Sequence, residues 1–474
     1  MTETLFLNSD GHLEFAPHDP SNPKNWSTKR KCYITGVSIL LVMNATFASS
    51  APSGAFEGIS QDLDTSVEAS GLVTTIFLLG YCAGPLIWAP FSEFYGRRYI
   101  FYITFTLYFI LNFLCAFTPN FVGLLLGRFL SSTFASSALS NAPGVLRDIW
   151  DPTERGNAMV LFSVMTFVGP ALGPVVSGFL ELKKSWRWGF YVLLWLAGIA
   201  EIFLFTIPET LPSIILLNKA REIRKDSPES GHVIAPIEST DRRLASIFKV
   251  ALTRPWKILF DPISFLVALY YSVVYTLLYM LFSIYPIVFQ RKRGWNAGVG
   301  ELPLIGVIIG ACLGGLFIYF LDAREKRKGH TASYHPKTPE DRLPAAMVGG
   351  ILFPISIFWF AWTAEFNSIH WIVPTLAGTF LAASILLIFV SYINYLIDTY
   401  VMFAASTIAA NTVARSACAA ASPLFTQYMF DTLGISGAGS LIGGVAVILA
   451  PIPFVFYKYG KSIRQRSNFA PTKE

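Results

Sequence analysis

Charge is scarce in this sequence. Only 14% of its 474 residues are Asp, Glu, Lys or Arg, against about a quarter in soluble domains. Hydrophobic residues make up 53%, and the mean hydropathy is +0.51. A chain this long and this apolar does not fit one soluble core, which points to the bilayer. Histidine is scarce too: His12, His18, His232, His330, His335 and His370 fall in tails, loops or at a span edge, with no paired metal spacing. The five cysteines (Cys32, Cys82, Cys115, Cys312 and Cys418) lie in or beside apolar runs and form no CxxC pair, so neither a disulfide framework nor a thiolate metal site is expected. No GxSxG and no phosphate-binding glycine loop occurs. The expectation is therefore no enzyme, no catalytic residue, no metal and no cofactor. The first thirty residues are polar, and the apolar run that follows is long enough to span rather than to be removed as a leader.

What the chain does have is long apolar runs. A spanning helix needs about 20 such residues, and twelve candidates are present. Six run over 33–53, 71–89, 99–117, 121–145, 157–179 and 189–208; six more over 262–288, 301–321, 344–364, 371–396, 399–427 and 435–457. The expected division is a tail (1–32), a six-helix half (33–208), a charged central loop (209–258), a second six-helix half (259–457) and a C-terminal tail (458–474). With both tails cytoplasmic, 28 of the 36 basic residues fall on the inner side, six in outer loops, and two, Arg128 and Arg415, within spans. That asymmetry fits the positive-inside rule. The net charge of +6 is therefore topological, and nucleic acid is not expected as a partner. Two parallel six-helix halves joined by a charged linker form a transporter architecture. Internal repetition is faint: span two ends in an acid and Arg97-Arg98, span eight in Asp322, Arg324 and Lys326.

A charge inside a span is costly unless it pairs or faces a wet cavity. Arg128 lies about a third of the way along span four, as an inward functional group or a snorkelling anchor. Arg415 sits mid-span among small residues in ASTIAANTVARSACAAAS, which points to a cavity or a helix interface. Glu201 lies deep in span six, and Asp398 opens span eleven at the interface.

GPLIWAPFSEFYGRR, 84–98, closes span two. Here Gly84 allows close helix contact, Glu93 supplies an anion, Gly96 makes the turn, and Arg97 and Arg98 face the cytoplasm. A carboxylate held against the start of a neighbouring helix can latch one conformation. On span seven, Tyr271, Tyr275, Tyr279 and Phe282 share a helical face. The stripe fits a cavity wall for aromatic or amphipathic molecules, and equally helix packing. Asn44, Asn141, Asn394 and Asn411 are further polar candidates for a cavity. In GPALGPVVSGFL, 169–180, Gly169, Gly173 and Ser177 recur every four residues as a small-residue stripe, followed by Gly178. Pro170 and Pro174 leave carbonyls without their usual donors. A stiff, bent helix pressed on a neighbour, with span eight as the expected partner, follows from that pattern.

These residues resemble the major facilitator superfamily, and within it the fungal twelve-span drug:proton antiporters. DPSNPKNWSTKRK, GPLIWAPFSEFYGRR, LGRFLSS, GPALGPVVSGFL, WRWGF, the PET at 208–210, PEDRLP, FWFAWT, ASTIAANTVARS and PIPFVFYKYG occur in order over nearly the whole chain. The resemblance implies an all-α, twelve-span fold and proton-driven export of a drug, secondary metabolite or organic acid, in a fungal plasma membrane. It implies proton coupling at Arg128 and an antiporter motif that seals the cavity. Ser177 stands where that motif usually has Gly, and no acid lies within span one, where some drug antiporters carry one. A monomer acting on a small molecule and protons is expected. A proton-driven importer shares the fold, and a non-transporting sensor is a further alternative; a sensor would normally carry a long signalling tail.

Overall fold

The computed structural model describes residues 6–7, 12–151, 154–226, 233–239, 244–329, 338–467 and 469. His232, His330, His335 and the last residues of the C-terminal tail lie outside that set, as do the side chains of Lys326 and Arg327. With no water to satisfy a backbone in lipid, apolar runs become helices, and no β-strand forms among the described residues.

The first half holds α1 (Thr28–Ser50), α2 (Leu72–Tyr95), α3 (Arg97–Phe117), α4 (Phe121–Ile149), α5 (Arg155–Glu181) and α6 (Arg187–Leu204). The second holds α7 (Pro262–Tyr285), α8 (Ile305–Gly329), α9 (Pro344–Glu365) and α10 (Ile372–Thr399). Its last helical stretch, Ala404–Leu449, breaks at Gly434 (φ 70°, ψ 172°) into α11 (404–433) and α12 (435–449). Span ends are written locally: Asn120 accepts from the Gly123 amide at 2.7 Å to cap α4, and Pro262 and Pro344 sit where a first helical turn has no donor to lose.

In the first half α2 and α3 pack on α4, and α1 on α5; in the second α7 packs on α11, and α8 and α9 on α10. The halves meet along α2 and α11, where Pro423 lies against Gly71, and along α5, which faces α8 and α10. There the rings of Phe167 and Phe389 meet edge to face with centroids 5.5 Å apart.

The central segment departs from the expected loop. It carries helices Pro212–Asp226 and Leu244–Leu259. Leu13 of the tail packs with Ile214, Leu217, Ala220 and Val233 in a small separate core. Lys219 pairs with Asp19 at 3.1 Å, and Arg224 with Glu238 at 2.7 Å. Charged and apolar residues alternate with helical spacing there, a pattern that composition alone hides.

Gly434 joins α11 to α12 at a positive φ that an L side chain rarely adopts. Gly434→Ala should lower stability by about 1 kcal/mol, read as an earlier thermal transition in lipid nanodiscs. Gly437→Ala, within a helix, should leave that transition in place.

Candidate functional site

A cavity opens at the end of the bundle that carries the tails and the central segment, and both halves line it. It encloses about 1160 Å³ of empty space, counting its mouth. From the first half come Pro85, Glu93, Arg97, Arg147, Arg155 and Phe162; from the second come Tyr271, Phe389, Asn411 and Arg415. Four arginines and one glutamate thus line it, and Asp148 behind the wall pairs with Arg97 at 3.3 Å and with Arg147 at 3.8 Å.

Arg415 projects from the middle of α11, with 7% of its surface exposed. Its guanidinium carbon lies 4.5 Å from the Tyr275 ring centroid and 5.0 Å from that of Phe389. These π faces attract a cation without neutralising it. Among the described residues no carboxylate pairs with it, and Nη1 has no hydrogen-bond partner. The Tyr271 hydroxyl donates to the Phe389 carbonyl, which holds that ring in place.

The tyrosine stripe divides. Tyr271 reaches the cavity, Tyr275 lies beneath Arg415, and Tyr279 donates to Ser49 Oγ of α1 at 2.9 Å. Tyr279 therefore joins the halves rather than lining the cavity. Three of the asparagines also lie off the cavity wall. Asn44 accepts from Tyr108 at 2.6 Å, Asn141 accepts from Ser92 at 2.7 Å, and Asn394 donates to the Val390 carbonyl of its own helix. Asn411 lines the cavity and donates to Ser264.

The carboxylates that engage Arg97 and Arg98 are Glu209 and Asp148, not Glu93. Gly96 turns the chain at φ 98°, and the Glu209 carboxylate fills the space beside it, accepting from the amides of Arg97 at 3.0 Å and Arg98 at 3.2 Å. An anion at the first turn of α3 is the favourable end of the helix dipole. Buried Arg97 pairs with Asp148 at 3.3 Å and donates to Ser92 at 2.6 Å. Arg98 donates to Tyr102 at 2.9 Å. Glu93 itself faces the cavity. The PET triplet held the signal for Glu209, but sequence spacing could not show that it folds back over 112 residues. Gly84 seats α2 on α4 against Ser136.

Arg128 is fully buried. It donates to the carbonyls of Val73 at 3.2 Å and Ala48 at 2.8 Å, and stacks 3.9 Å over Phe77. It thereby holds α1, α2 and α4 together rather than snorkelling outward. Glu201 accepts from Thr106 of α3.

The small-residue stripe of α5 packs on α1, not on α8. A Cβ on Gly169 would press into Thr46, Met43 and Phe47, and one on Gly173 into Ser50 and Ala51. Ser50 Oγ donates to the Pro170 carbonyl at 2.7 Å, and Ser177 Oγ donates to Ala51. The face carrying Val160 and Val164 meets α8 at Gly315, and Gly178 lies against Ala297 and Glu301 just before α8. The expected partner was wrong because a helix this small-faced still has a second, branched face, and spacing gives no rotation about the helix axis.

A family model described as Major Facilitator Superfamily matches residues 38–423. Among curated proteins, the chain is 41% identical over 463 residues to "Efflux pump FUB11" of Gibberella moniliformis, covering 97% of this chain and 77% of that one. It is 41% identical over 465 residues to "MFS-type efflux pump MFS2" of Trichophyton rubrum, with the same coverage. It is 39% identical over 461 residues to "Major facilitator superfamily multidrug transporter mdrA" of Aspergillus fumigatus, covering 96% and 75%. Among solved structures, an MFS proton:xylose symporter, XylE, superposes with a TM-score of 0.65 at 16% identity, covering 92% of this chain and 96% of that one.

Removing the partner of buried Arg97 leaves an uncompensated charge. Asp148→Asn should therefore destabilise the protein by about 3 kcal/mol, read as loss of folded material in size-exclusion chromatography. Glu93→Gln, at the cavity wall, should keep the folded yield.

Proposed function

This chain belongs to the Major Facilitator Superfamily, and from that premise we propose that it exports a small organic compound in exchange for protons by alternating access. It is a transporter and not an enzyme. The observation that carries the reading is the cavity shared by the two halves, open at the basic end and centred on unpaired Arg415. The relatives named efflux pumps support the direction of transport. On this reading the basic end faces the cytoplasm, both termini are cytoplasmic, the membrane is the plasma membrane, and the working unit is a monomer.

Each candidate residue has a part in the cycle. Arg415 and Tyr271 receive the compound entering from the open end, with Asn411 beside them. Arg415, which no carboxylate pairs with among the described residues, favours a compound that bears an acidic group, because Arg pairs with carboxylates through charge-assisted hydrogen bonds. Arg97, Arg98, Gly96 and Glu209 close the open end in the opposite state, with Glu93 at its rim and Gly84 seating α2. Arg128 couples protons to the cycle, since it grips the carbonyls where α1 ends. Gly169, Pro170, Gly173, Pro174, Ser177 and Gly178 seal the far end. Protonation then shifts the population between the two states.

Efflux of a fluorescent drug from yeast lacking its own pumps should stop when a protonophore collapses the pH gradient. Undiminished efflux would exclude antiport. Arg415→Ala should reduce efflux of an acidic fluorophore about 10-fold or more, from the loss of a charge-assisted contact of about 1.5–3 kcal/mol. Arg128→Ala should abolish efflux, and Arg128→Lys should retain part of it. Wild-type efflux in Arg128→Ala would remove its coupling role.

A further inference from the structure

At the end opposite the cavity mouth, a short helix, Ala297–Glu301, leads into α8. Its last residue, Glu301, is 0% exposed. Its side chain lies against α5 at Gly178, where an added Cβ would stand 3.2 Å from Glu301 Cγ and 2.7 Å from the Ala297 carbonyl. Oε1 accepts from Gln290 Nε2 at 3.0 Å. Oε2 is buried with no hydrogen-bond partner. No cation pairs with Glu301 among the described residues.

The charged and titratable surroundings make an ionised Glu301 worse placed. From α5, the Glu181 carboxylate acts on it electrostatically, held where Oε1 accepts from the Gly58 amide at 2.6 Å. From the connection after α1, Glu57 acts in turn on Glu181. From the end of α7 comes Tyr285, and from the helical turn after it Gln290 and Arg291, with Arg291 facing Glu68. Lys292 is engaged by Glu365 at 2.5 Å, and Arg293 by the Ile369 carbonyl at 2.9 Å. A buried anion without a cation costs several kcal/mol, and a carboxyl group escapes that cost by taking a proton.

An outer vestibule reaches the groups that surround Glu301, although Glu301 itself does not line it. This vestibule, with about 1350 Å³ of empty space, counting its mouth, is lined by Glu57, Glu68, Glu181, Gln290, Arg291 and Ala297. Three of these, Glu181, Gln290 and Ala297, are the groups named above around Glu301.

We propose that Glu301 is a proton-binding site that controls closure of this end: protonated, it lets α5 and α8 close together, and ionised, it holds them apart. The step is a single association of a carboxylate with a proton from vestibule water, with no other bond made or broken. It is separate from the coupling role given to Arg128, and it rests on the alternating-access reading.

The test replaces the five native cysteines with serine and places spin labels at Lys184→Cys and Ser368→Cys, exposed positions in outer loops of the two halves. Distances between them are read in nanodiscs from about pH 5 to about pH 9. The expected result is one short distance at low pH and a growing longer-distance population as pH rises. Glu301→Gln, which stays neutral, should keep the short distance throughout. The inference is overturned if Glu301→Gln follows the same pH dependence as the parent. It is equally overturned if the labelled parent, shown to be folded by its transport of drug, gives a distance that does not change with pH, an outcome that does not depend on Glu301→Gln. In that second case, a distance that still responds to an added transported drug would leave alternating access standing.

Discussion

Helices in lipid gain little from hiding apolar surface from one another, so close contact and satisfied polar groups decide how they pack. The junction of α1 with α5 shows how much of this molecule hangs on that constraint. Gly169 and Gly173 bring the two backbones together. The donors that Pro170 and Pro174 remove from α5 are then replaced in part from α1, by Ser50 on the Pro170 carbonyl. Ser177 returns the favour to Ala51, where α1 tightens into the 3-10 turn Ala51–Ala55. Carbonyls near that end are left to outside donors, and Arg128 takes those of Ala48 and Ser49. Ser49 also receives the Tyr279 hydroxyl from the second half. A helix rich in breakers thus becomes the piece that ties α1, α4, α5 and α7 into one joint.

The two ends of the bundle solve the problem of charge differently. At the cavity end, Asp148 neutralises Arg97, Glu209 caps α3, and Arg342 pairs with Asp398 at 3.0 Å. The Arg97–Asp148 pair there is buried, whereas Arg342 and Asp398 are partly exposed. At the far end Glu181 and Glu301 lie under packed backbone with few partners. Closing that end is therefore a question of protonation and steric fit more than of ion pairing.

Much of the fold was legible because helix length and apolar runs are local properties. All twelve spans follow from them, as does the turn at Gly96, where the sequence reads Tyr-Gly-Arg-Arg. Arg415 was legible as a cavity residue because a guanidinium in mid-span has few other places to go. The rest depended on rotation and on distant contacts. Nothing in GPALGPVVSGFL says which neighbour its small face meets, and the structure gives α1. Nothing near Glu93 shows that the partners of Arg97 are Asp148 and Glu209, 51 and 112 positions away. Asn44 and Asn141 look like cavity groups by polarity, yet each accepts a hydroxyl from a neighbouring helix. Glu301 drew no attention because it stands at a span edge, where an acid is ordinary; only its burial sets it apart.

Arg415 and Glu301 are both buried charges without a counter-ion, and their chemistry separates their consequences. A guanidinium does not give up its proton at any working pH, so Arg415 is relieved by an anion that comes to it or by aromatic faces that stand in for one. A carboxyl group is relieved by a proton alone. The first demand faces the open, basic end and the second faces the opposite vestibule. On the proposed export reading, a compound with an acidic group answers one from inside, and a proton answers the other from outside. Exchange of the two across the membrane needs no more than that each demand be met in the state that exposes it.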